Sequence, residues 1–128
     1  MEVYMDNAAT TQTNREVVDA MIPFFSEDYG NASSLHSVGR RAREALDTSR
    51  IKVAKLIGAD AEDIIFTAGG TESDNIAIKG IAYKKKKGNI ITSSIEHPAV
   101  LETCKYLGGQ GFEITYLGVD KFGMVSPE

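Results

Sequence analysis

The chain has 128 residues, of which 42% are hydrophobic and 25% are charged, so its composition is that of an ordinary globular domain. A net charge of -4 provides no general attraction to nucleic acid or anionic lipid, and no apolar run approaches the roughly 20 residues of a membrane span. The polar start is unlike a secretory signal, and one cysteine is too few for a disulfide or a cysteine-rich metal site. We therefore expect a cytoplasmic protein that acts on small molecules, with no direct nucleic-acid or membrane partner and no metal.

The first half of the chain is predicted to be an extended arm followed by helices. Residues 1–14 form the N-terminal arm, in which a short extended piece leads into a polar turn. Residues 15–58 form a helical lead-in, where apolar residues at helical spacing predict one amphipathic helix ending near Ser26 and a longer helix ending at Gly58. Residues 29–37, between these helices, are predicted to be a loop, because glycine, asparagine and serine favour turns.

The second half, residues 59–128, alternates strands with helices. Predicted strands cover residues 64–67, 90–92 and 112–117, and predicted helices run from Thr71 to about Tyr83 and from Pro98 to Leu107. That order is typical of an α/β fold with an open sheet. Lysines 84–87 are interpreted as a solvated cap at a helix C-terminus, and Ser126-Pro127 is typical of the start of another helix.

The segment before the Thr71 helix is a candidate phosphate site. An apolar strand runs through Ala68, Gly69 and Gly70 into a helix that Thr71 and Asp74 are predicted to cap as a capping box. Unpaired N–H groups at a helix start attract anions. The segment lacks the lysine of a P-loop and the glycine spacing of a dinucleotide fingerprint. The alternative interpretation is that Thr71 only caps its helix and the glycines only turn the chain.

A second candidate is His97, which follows a predicted strand and precedes Pro98 at the start of a helix. Because ligands of open α/β sheets bind outside the carboxyl ends of the strands, His97 is expected at the same edge as Thr71. A flat, titratable ring there can stack on an aromatic ligand and exchange protons. The alternative is a structural histidine. Cys104, inside a predicted helix, is interpreted as a small buried apolar residue.

Four ordered motifs together resemble the class V aminotransferase family of pyridoxal 5′-phosphate (PLP) enzymes, most closely its NifS/IscS-like cysteine desulfurase branch. The motifs are residues 4–11 (YMDNAATT), 29–36 (YGNASSLH), 66–80 (FTAGGTESDNIAIKG) and 96–100 (EHPAV). The resemblance covers the whole chain and implies the N-terminal portion of a fold type I enzyme. An arm and helices would lead into the first, incomplete part of a three-layer α/β/α open sheet, with the loop 29–37 at the active site.

The resemblance also implies roles for individual residues. Gly70 and Thr71 match the pair that binds the cofactor phosphate. His97 matches the histidine that stacks over the pyridine ring and assists proton transfer. Asn7 and Ala8 are expected to line the substrate side. The chain departs from the usual family residues, without loss of a phosphate-binding group, at four positions: Ala32, Ala68, Gly70 and Asp74.

No residue matches the family's Schiff-base lysine or its persulfide-forming cysteine, so the chain alone is expected to be inactive. The resemblance implies that the intact enzyme removes sulfur from L-cysteine, giving L-alanine and an enzyme persulfide for iron–sulfur cluster assembly or tRNA thiolation. It also implies a homodimer that passes sulfur to a scaffold or acceptor protein. Two alternatives stay open: a selenocysteine lyase or another class V enzyme, and a non-catalytic interaction or dimerisation module.

Overall fold

The computed structural model describes residues 1–126 of the chain. Contacts divide the chain into two compact units, Met1–Ile65 and Phe66–Glu128. Within the described residues, no helix combines the length and the apolar character that crossing a membrane requires. The three-part division at residues 14 and 58 stays a prediction, and the helix expected to open at Ser126-Pro127 extends outside the described residues.

The first unit begins with two short helices. Helix α1 (Arg15–Met21) is capped by Asn14, whose side chain accepts a hydrogen bond from the Glu16 N–H at 2.9 Å. Helix α2 (Pro23–Ser26) follows after a single residue. The prediction of one continuous helix is right about its end at Ser26 and wrong about its continuity. Pro23 interrupts the ladder, because proline has no N–H to donate to the carbonyl group four residues earlier.

The predicted long helix is confirmed as α3 (Ser37–Ile57). It begins at His36, whose Nδ1 accepts a hydrogen bond from the Gly39 N–H at 3.3 Å, and a 3₁₀ turn (Ala61–Asp63) follows it. It ends at Gly58, which has a φ of 69°. Glycine adopts that left-handed conformation without the steric cost of a Cβ, so the sequence stops the helix where expected.

The loop at 29–37 lies directly against α3. A Cβ on Gly30 would overlap the carbonyl oxygen of Val38, and a Cβ on Gly39 would lie 2.5 Å from the carbonyl oxygen of Ser34. Two glycines therefore allow backbone to approach backbone at this place, which larger residues would prevent.

The second unit alternates helices and strands. Its elements are α4 (Gly70–Lys85), β1 (Asn89–Ser93), α5 (Pro98–Gly109) and β2 (Glu113–Leu117). The two strands pair in parallel, with Asn89 opposite Glu113 and Ser93 opposite Leu117, and α5 is the connection between them. Helix α5 packs against both α4 and β2. The α/β fold class is thus confirmed, and these four elements lie within two residues of their predicted ends.

Residues 64–67 are the exception, because they do not form the predicted strand. Ile64 has extended dihedral angles (φ -88°, ψ 121°), yet the described sheet contains only β1 and β2. A strand exists only when a neighbour accepts and donates its backbone hydrogen bonds. The apolar pattern therefore predicts the extended backbone correctly and the membership of a sheet wrongly.

Helix α4 ends in the lysine run, as predicted. Lys84 and Lys85 form its last turn, and Lys86 caps it in a left-handed conformation (φ 65°), with its N–H donated to the carbonyl oxygen of Ala82 at 2.9 Å. All four lysines at 84–87 are exposed. Cations at this end of a helix interact favourably with its dipole, so the helix alone accounts for the run.

The interior of the second unit is built around α5. Leu107 is fully buried, and Ala82 of α4 is buried as well. Cys104 is only 1% exposed, which confirms its interpretation as a buried residue. The buried hydroxyl group of Thr103 donates a hydrogen bond to the Ala99 carbonyl at 2.8 Å, so the polar group is satisfied inside the core.

Candidate functional site

The start of α4 is an open turn of small residues. A side chain added at Gly69 or Gly70 would meet nothing within 4 Å. A cleft of about 480 Å³ lies here. Its lining residues are Ala68, Gly69, Gly70, Thr71, Glu72 and Asn75. Because the first N–H groups of a helix have no carbonyl partner within it, those of Gly70 and Thr71 are available to a ligand at this end.

The predicted capping box of Thr71 and Asp74 is wrong. Gly69 is the N-cap residue, so Thr71 already lies inside the first turn of α4. Among the described residues, the Thr71 hydroxyl makes no hydrogen bond, whereas its carbonyl accepts one from the Asn75 side chain at 2.9 Å. The hydroxyl group that was expected to cap the helix is thus free to form a hydrogen bond with a ligand.

Other side chains close the turn. Thr67 Oγ1 lies 2.7 Å from Ser73 Oγ, and the Glu72 carboxylate accepts a hydrogen bond from the Ala68 N–H at 2.6 Å. A carboxylate near a helix N-terminus is stabilised by the helix dipole. Glu72 therefore stabilises the turn. Its carboxylate interacts with the same positive helix end that would attract a bound anion.

His97 is the N-cap residue of α5, immediately before Pro98 at the first helical position. Its Nδ1 accepts a hydrogen bond from the Ala99 N–H at 3.1 Å. The chain reaches it from β1 through a turn in which Ser93 Oγ bonds to the Glu96 carboxylate at 3.0 Å. The ring is exposed. The backbone of the helix start therefore sets the orientation of an accessible imidazole.

Thr71 and His97 line one cleft of about 430 Å³ between α4 and α5. One wall is formed by Thr71, Asn75 and Lys79 of α4. The other is formed by α5 and its N-cap, through His97, Pro98, Ala99, Glu102, Thr103 and Tyr106. Helix α5 begins shortly after β1 ends, and α4 packs against α5, which places Thr71 and His97 on the same cleft. The structure thus brings together the two side chains that the sequence places at one edge, while their roles toward a cofactor stay predictions.

Sequence reasoning did not find three of the cleft residues, Asn75, Lys79 and Tyr106. Lys79 Nζ lies 4.8 Å from the centroid of the Tyr106 ring, within the range of a cation–π contact. The hydroxyl groups of Tyr83 and Tyr106 lie 3.5 Å apart, and this hydrogen bond raises the pKa of Tyr83. A signal was present, because Thr71, Asn75 and Lys79 are spaced four residues apart on one face of a helix.

Asn7 and Ala8 lie in an exposed turn of the first unit. There the Ala9 N–H donates to the Asp6 carbonyl at 3.0 Å, and Thr11 Oγ1 donates to the Asn7 carbonyl at 3.3 Å. These are local contacts within residues 6–11. The predicted place of Asn7 and Ala8 beside a substrate stays a prediction.

Cys104 has the properties of a core residue. Burial raises the pKa of its thiol, and the nearby negative charge of Glu96 adds to this effect. Since the thiolate is the nucleophilic form, both effects lower its reactivity. Within residues 1–126, no group of three or more histidine, cysteine, aspartate or glutamate side chains is arranged to hold a metal ion.

Known relatives share these segments. A family model described as aminotransferase class-V matches residues 3–128. The chain is 57% identical to the protein named cysteine desulfurase IscS of Methanosarcina thermophila, over 98% of this chain and 32% of that protein. It is 55% identical to the protein of the same name from Dictyoglomus turgidum, over 99% of this chain and 33% of that protein.

Solved structures agree with the sequence relatives. A NifS-like protein matches with a TM-score of 0.90 at 45% identity, over 98% of this chain and 35% of that chain. The apo structure of the cysteine desulfurase from Thermococcus onnurineus matches with a TM-score of 0.84 at 31% identity, over 97% and 32%. The chain spans about a third of the length of the curated relatives it matches. Because the family model covers nearly the whole sequence, this chain belongs to the aminotransferase class-V family.

Proposed function

We propose that this chain is the N-terminal part of a PLP-dependent cysteine desulfurase. The observation that carries the proposal is its identity of 57% and 55% with two proteins named cysteine desulfurase. In this proposal the intact enzyme takes sulfur from L-cysteine, leaving L-alanine and an enzyme persulfide for iron–sulfur cluster assembly or tRNA thiolation. A cytoplasmic location, a homodimer and a scaffold or sulfur-acceptor partner belong to the same proposal.

The described residues fit the cofactor that this activity requires. Gly70 and Thr71 would hold its phosphate, because the helix start offers N–H groups, a hydroxyl and open space. The helix dipole contributes roughly 0.3 to 1 kcal/mol to a nearby anion and up to about 2 kcal/mol when the site is partly buried. His97, in the adjoining cleft, would stack on the pyridine ring.

The division of labour follows from the side chains present. When bound, PLP supplies the electron sink that weakens the bonds at the α-carbon of an amino acid. Thr71 and His97 would anchor and orient the cofactor, and Asn7 and Ala8 would line the substrate side. Cys104 is unsuited to carry sulfur, because it is buried and its thiol pKa is raised. We therefore expect the chain to need the rest of such an enzyme for activity.

A complementation experiment tests the proposal. The purified chain is mixed with PLP and with the remaining C-terminal part of the Methanosarcina thermophila relative, and visible absorption and sulfide release from L-cysteine are recorded. We expect a new absorption band and sulfide from the mixture and neither from the chain alone. A mixture that associates without binding PLP would instead indicate an interaction module, and faster turnover of selenocysteine than of cysteine would indicate a lyase for that substrate.

Thr71→Val is the sharpest variant for this mixture. It removes the hydroxyl and preserves the size of the side chain, so PLP affinity should fall roughly 10- to 100-fold, the loss expected for a hydrogen bond to a charged group. The matched control is Thr48→Val, at an exposed position on α3. Equal affinities for the two variants would contradict a phosphate-binding role for Thr71.

A further inference from the structure

We infer that the hydrogen bond from the Ala99 N–H sets the tautomer of His97, so that the imidazole presents an N–H donor, at Nε2, to the cleft shared with Thr71. The ligand atom that meets His97 there is then a hydrogen-bond acceptor. The inference rests on the proposed function only for the identity of that ligand.

The geometry at the start of α5 determines the tautomer. A backbone N–H can only donate, and the Ala99 nitrogen lies 3.1 Å from Nδ1 of His97. The nitrogen that accepts this bond carries no hydrogen, so in a neutral imidazole the hydrogen must be on Nε2. Ala99 is only 7% exposed, which leaves water little access to replace the ring as its partner.

The second ring nitrogen of His97, Nε2, differs from Nδ1 in its partners. Among the described residues, Nε2 of His97 makes no hydrogen bond, although His97 lines the cleft with Thr71 and Asn75. An anionic oxygen or sulfur atom bound in the cleft matches an N–H donor at this position. A ligand that presents its own N–H there would leave two donors facing each other.

The same bond leaves Nδ1 unavailable to a ligand, because its lone pair already accepts the Ala99 N–H that caps α5. Nε2 can donate a hydrogen bond into the cleft with no change in the backbone. The charged residues around the ring are Glu96 in the preceding turn and Lys79 and Glu102 in the cleft, and Glu96 is bound to Ser93. His97 is thus positioned as a donor.

Nitrogen NMR of the ¹⁵N-labelled chain tests the tautomer directly. The chain has two histidines, so the His36→Asn variant assigns both sets of ring signals. His36 is an internal control, because its Nδ1 also accepts a backbone N–H, from Gly39 at 3.3 Å. We expect the hydrogen on Nε2 in both rings. A His97 ring with the hydrogen on Nδ1, or an even mixture of tautomers, would overturn the inference.

Removal of the Ala99 N–H tests whether this hydrogen bond sets the tautomer of His97. Replacing Ala99 with lactic acid exchanges the N–H for an ester oxygen and retains the methyl group. His97 should then shift toward a mixture of tautomers while His36 is unchanged, and an unaltered His97 ring would count against the inference.

A variant set covers the case in which the ester chain does not fold. In His97→Phe the Ala99 amide should exchange its hydrogen about fivefold faster, as expected for loss of an N-cap. His97→Asn, which restores a side-chain acceptor, should return exchange to the slow rate. Equal exchange in the wild-type and His97→Phe chains would refute the capping role. None of these measurements uses a ligand. A failure to bind PLP would therefore contradict the proposed function without affecting the inference about the tautomer.

Discussion

The two units of the chain are stabilised in different ways. In Met1–Ile65 the buried residues of the long helix are Gly39 and Ala54, neither of which has a large side chain. In Phe66–Glu128 a packed interior forms around Leu107 and Cys104 of α5. The candidate site lies in the second unit, between α4 and α5, and α5 also supplies this core. One helix thus contributes a buried face to stability and its exposed start to the cleft.

The first unit depends on backbone geometry and surface pairs. Arg41 of α3 pairs with Asp28, the residue before the loop, at 2.6 Å, and the Arg50 guanidinium donates to the carbonyl oxygen of Ile64. Both partners of the Arg41 pair are partly exposed, and such pairs contribute about 0 to 1 kcal/mol. The close backbone approach at Gly30 and Gly39 is therefore expected to contribute more to stability than these ion pairs.

The largest expected effect is on the core of the second unit. Leu107→Ala removes a side chain with no exposed surface, and a cavity of this kind costs about 2 to 5 kcal/mol. Its matched control in the first unit is Leu56→Ala, at a position 84% exposed, where the loss should be about 0.5 kcal/mol or less. Hydrogen exchange of each unit measures both changes. Similar losses at the two positions would mean that the units do not differ as described.

A smaller effect distinguishes two glycines in helices. Gly39→Ala places a Cβ 2.5 Å from the Ser34 carbonyl oxygen, and overpacking of this kind costs about 1 to 3 kcal/mol. Gly80→Ala on α4 meets nothing within 4 Å and should stabilise its helix by about 0.5 to 1 kcal/mol. The two substitutions should therefore change the free energy of unfolding with opposite signs. Thermal and urea unfolding of both variants test this, and a stabilised Gly39→Ala chain would show that the loop does not lie against α3.

The smallest expected effect is the pH dependence from Cys104. Burial, followed by the charge of Glu96, raises the thiol pKa above its ordinary value of 9.0. When the pKa of a thiol is higher in the folded chain than in the unfolded chain, its contribution to stability is fully present at pH values below the unfolded pKa. This contribution is lost as the pH rises through the folded pKa. Between neutral and alkaline pH, the free energy of unfolding should therefore fall further for the wild-type chain than for Cys104→Ala.

Thiol labelling provides an independent check of the same residue. Because the chain has one cysteine, its denatured form is the control, and native Cys104 should react with a disulfide reagent far more slowly than the denatured thiol. Equal labelling rates would place the thiol at the surface and remove the reason for the raised pKa.

Several features followed from short stretches of sequence. The stop of α3 at Gly58, the start of α5 at Pro98 and the lysine cap of α4 are each decided by the conformational preferences of a few neighbouring residues. Such preferences act within one turn of a helix, so a single sequence displays them. The capping box at Thr71 failed for the same local reason, since Gly69 takes the N-cap position and Glu72 and Thr67 close the turn.

By itself, the sequence determined the order of helices and strands, the α/β class and the candidate residues Thr71 and His97, because periodicity and turn chemistry are properties of adjacent residues. Only the tertiary structure decided that residues 64–67 lack a strand partner in the described sheet and that Asn75, Lys79 and Tyr106 join the cleft. Strand pairing and cleft formation join residues distant in the chain, so they depend on the packing of whole elements rather than on local preference.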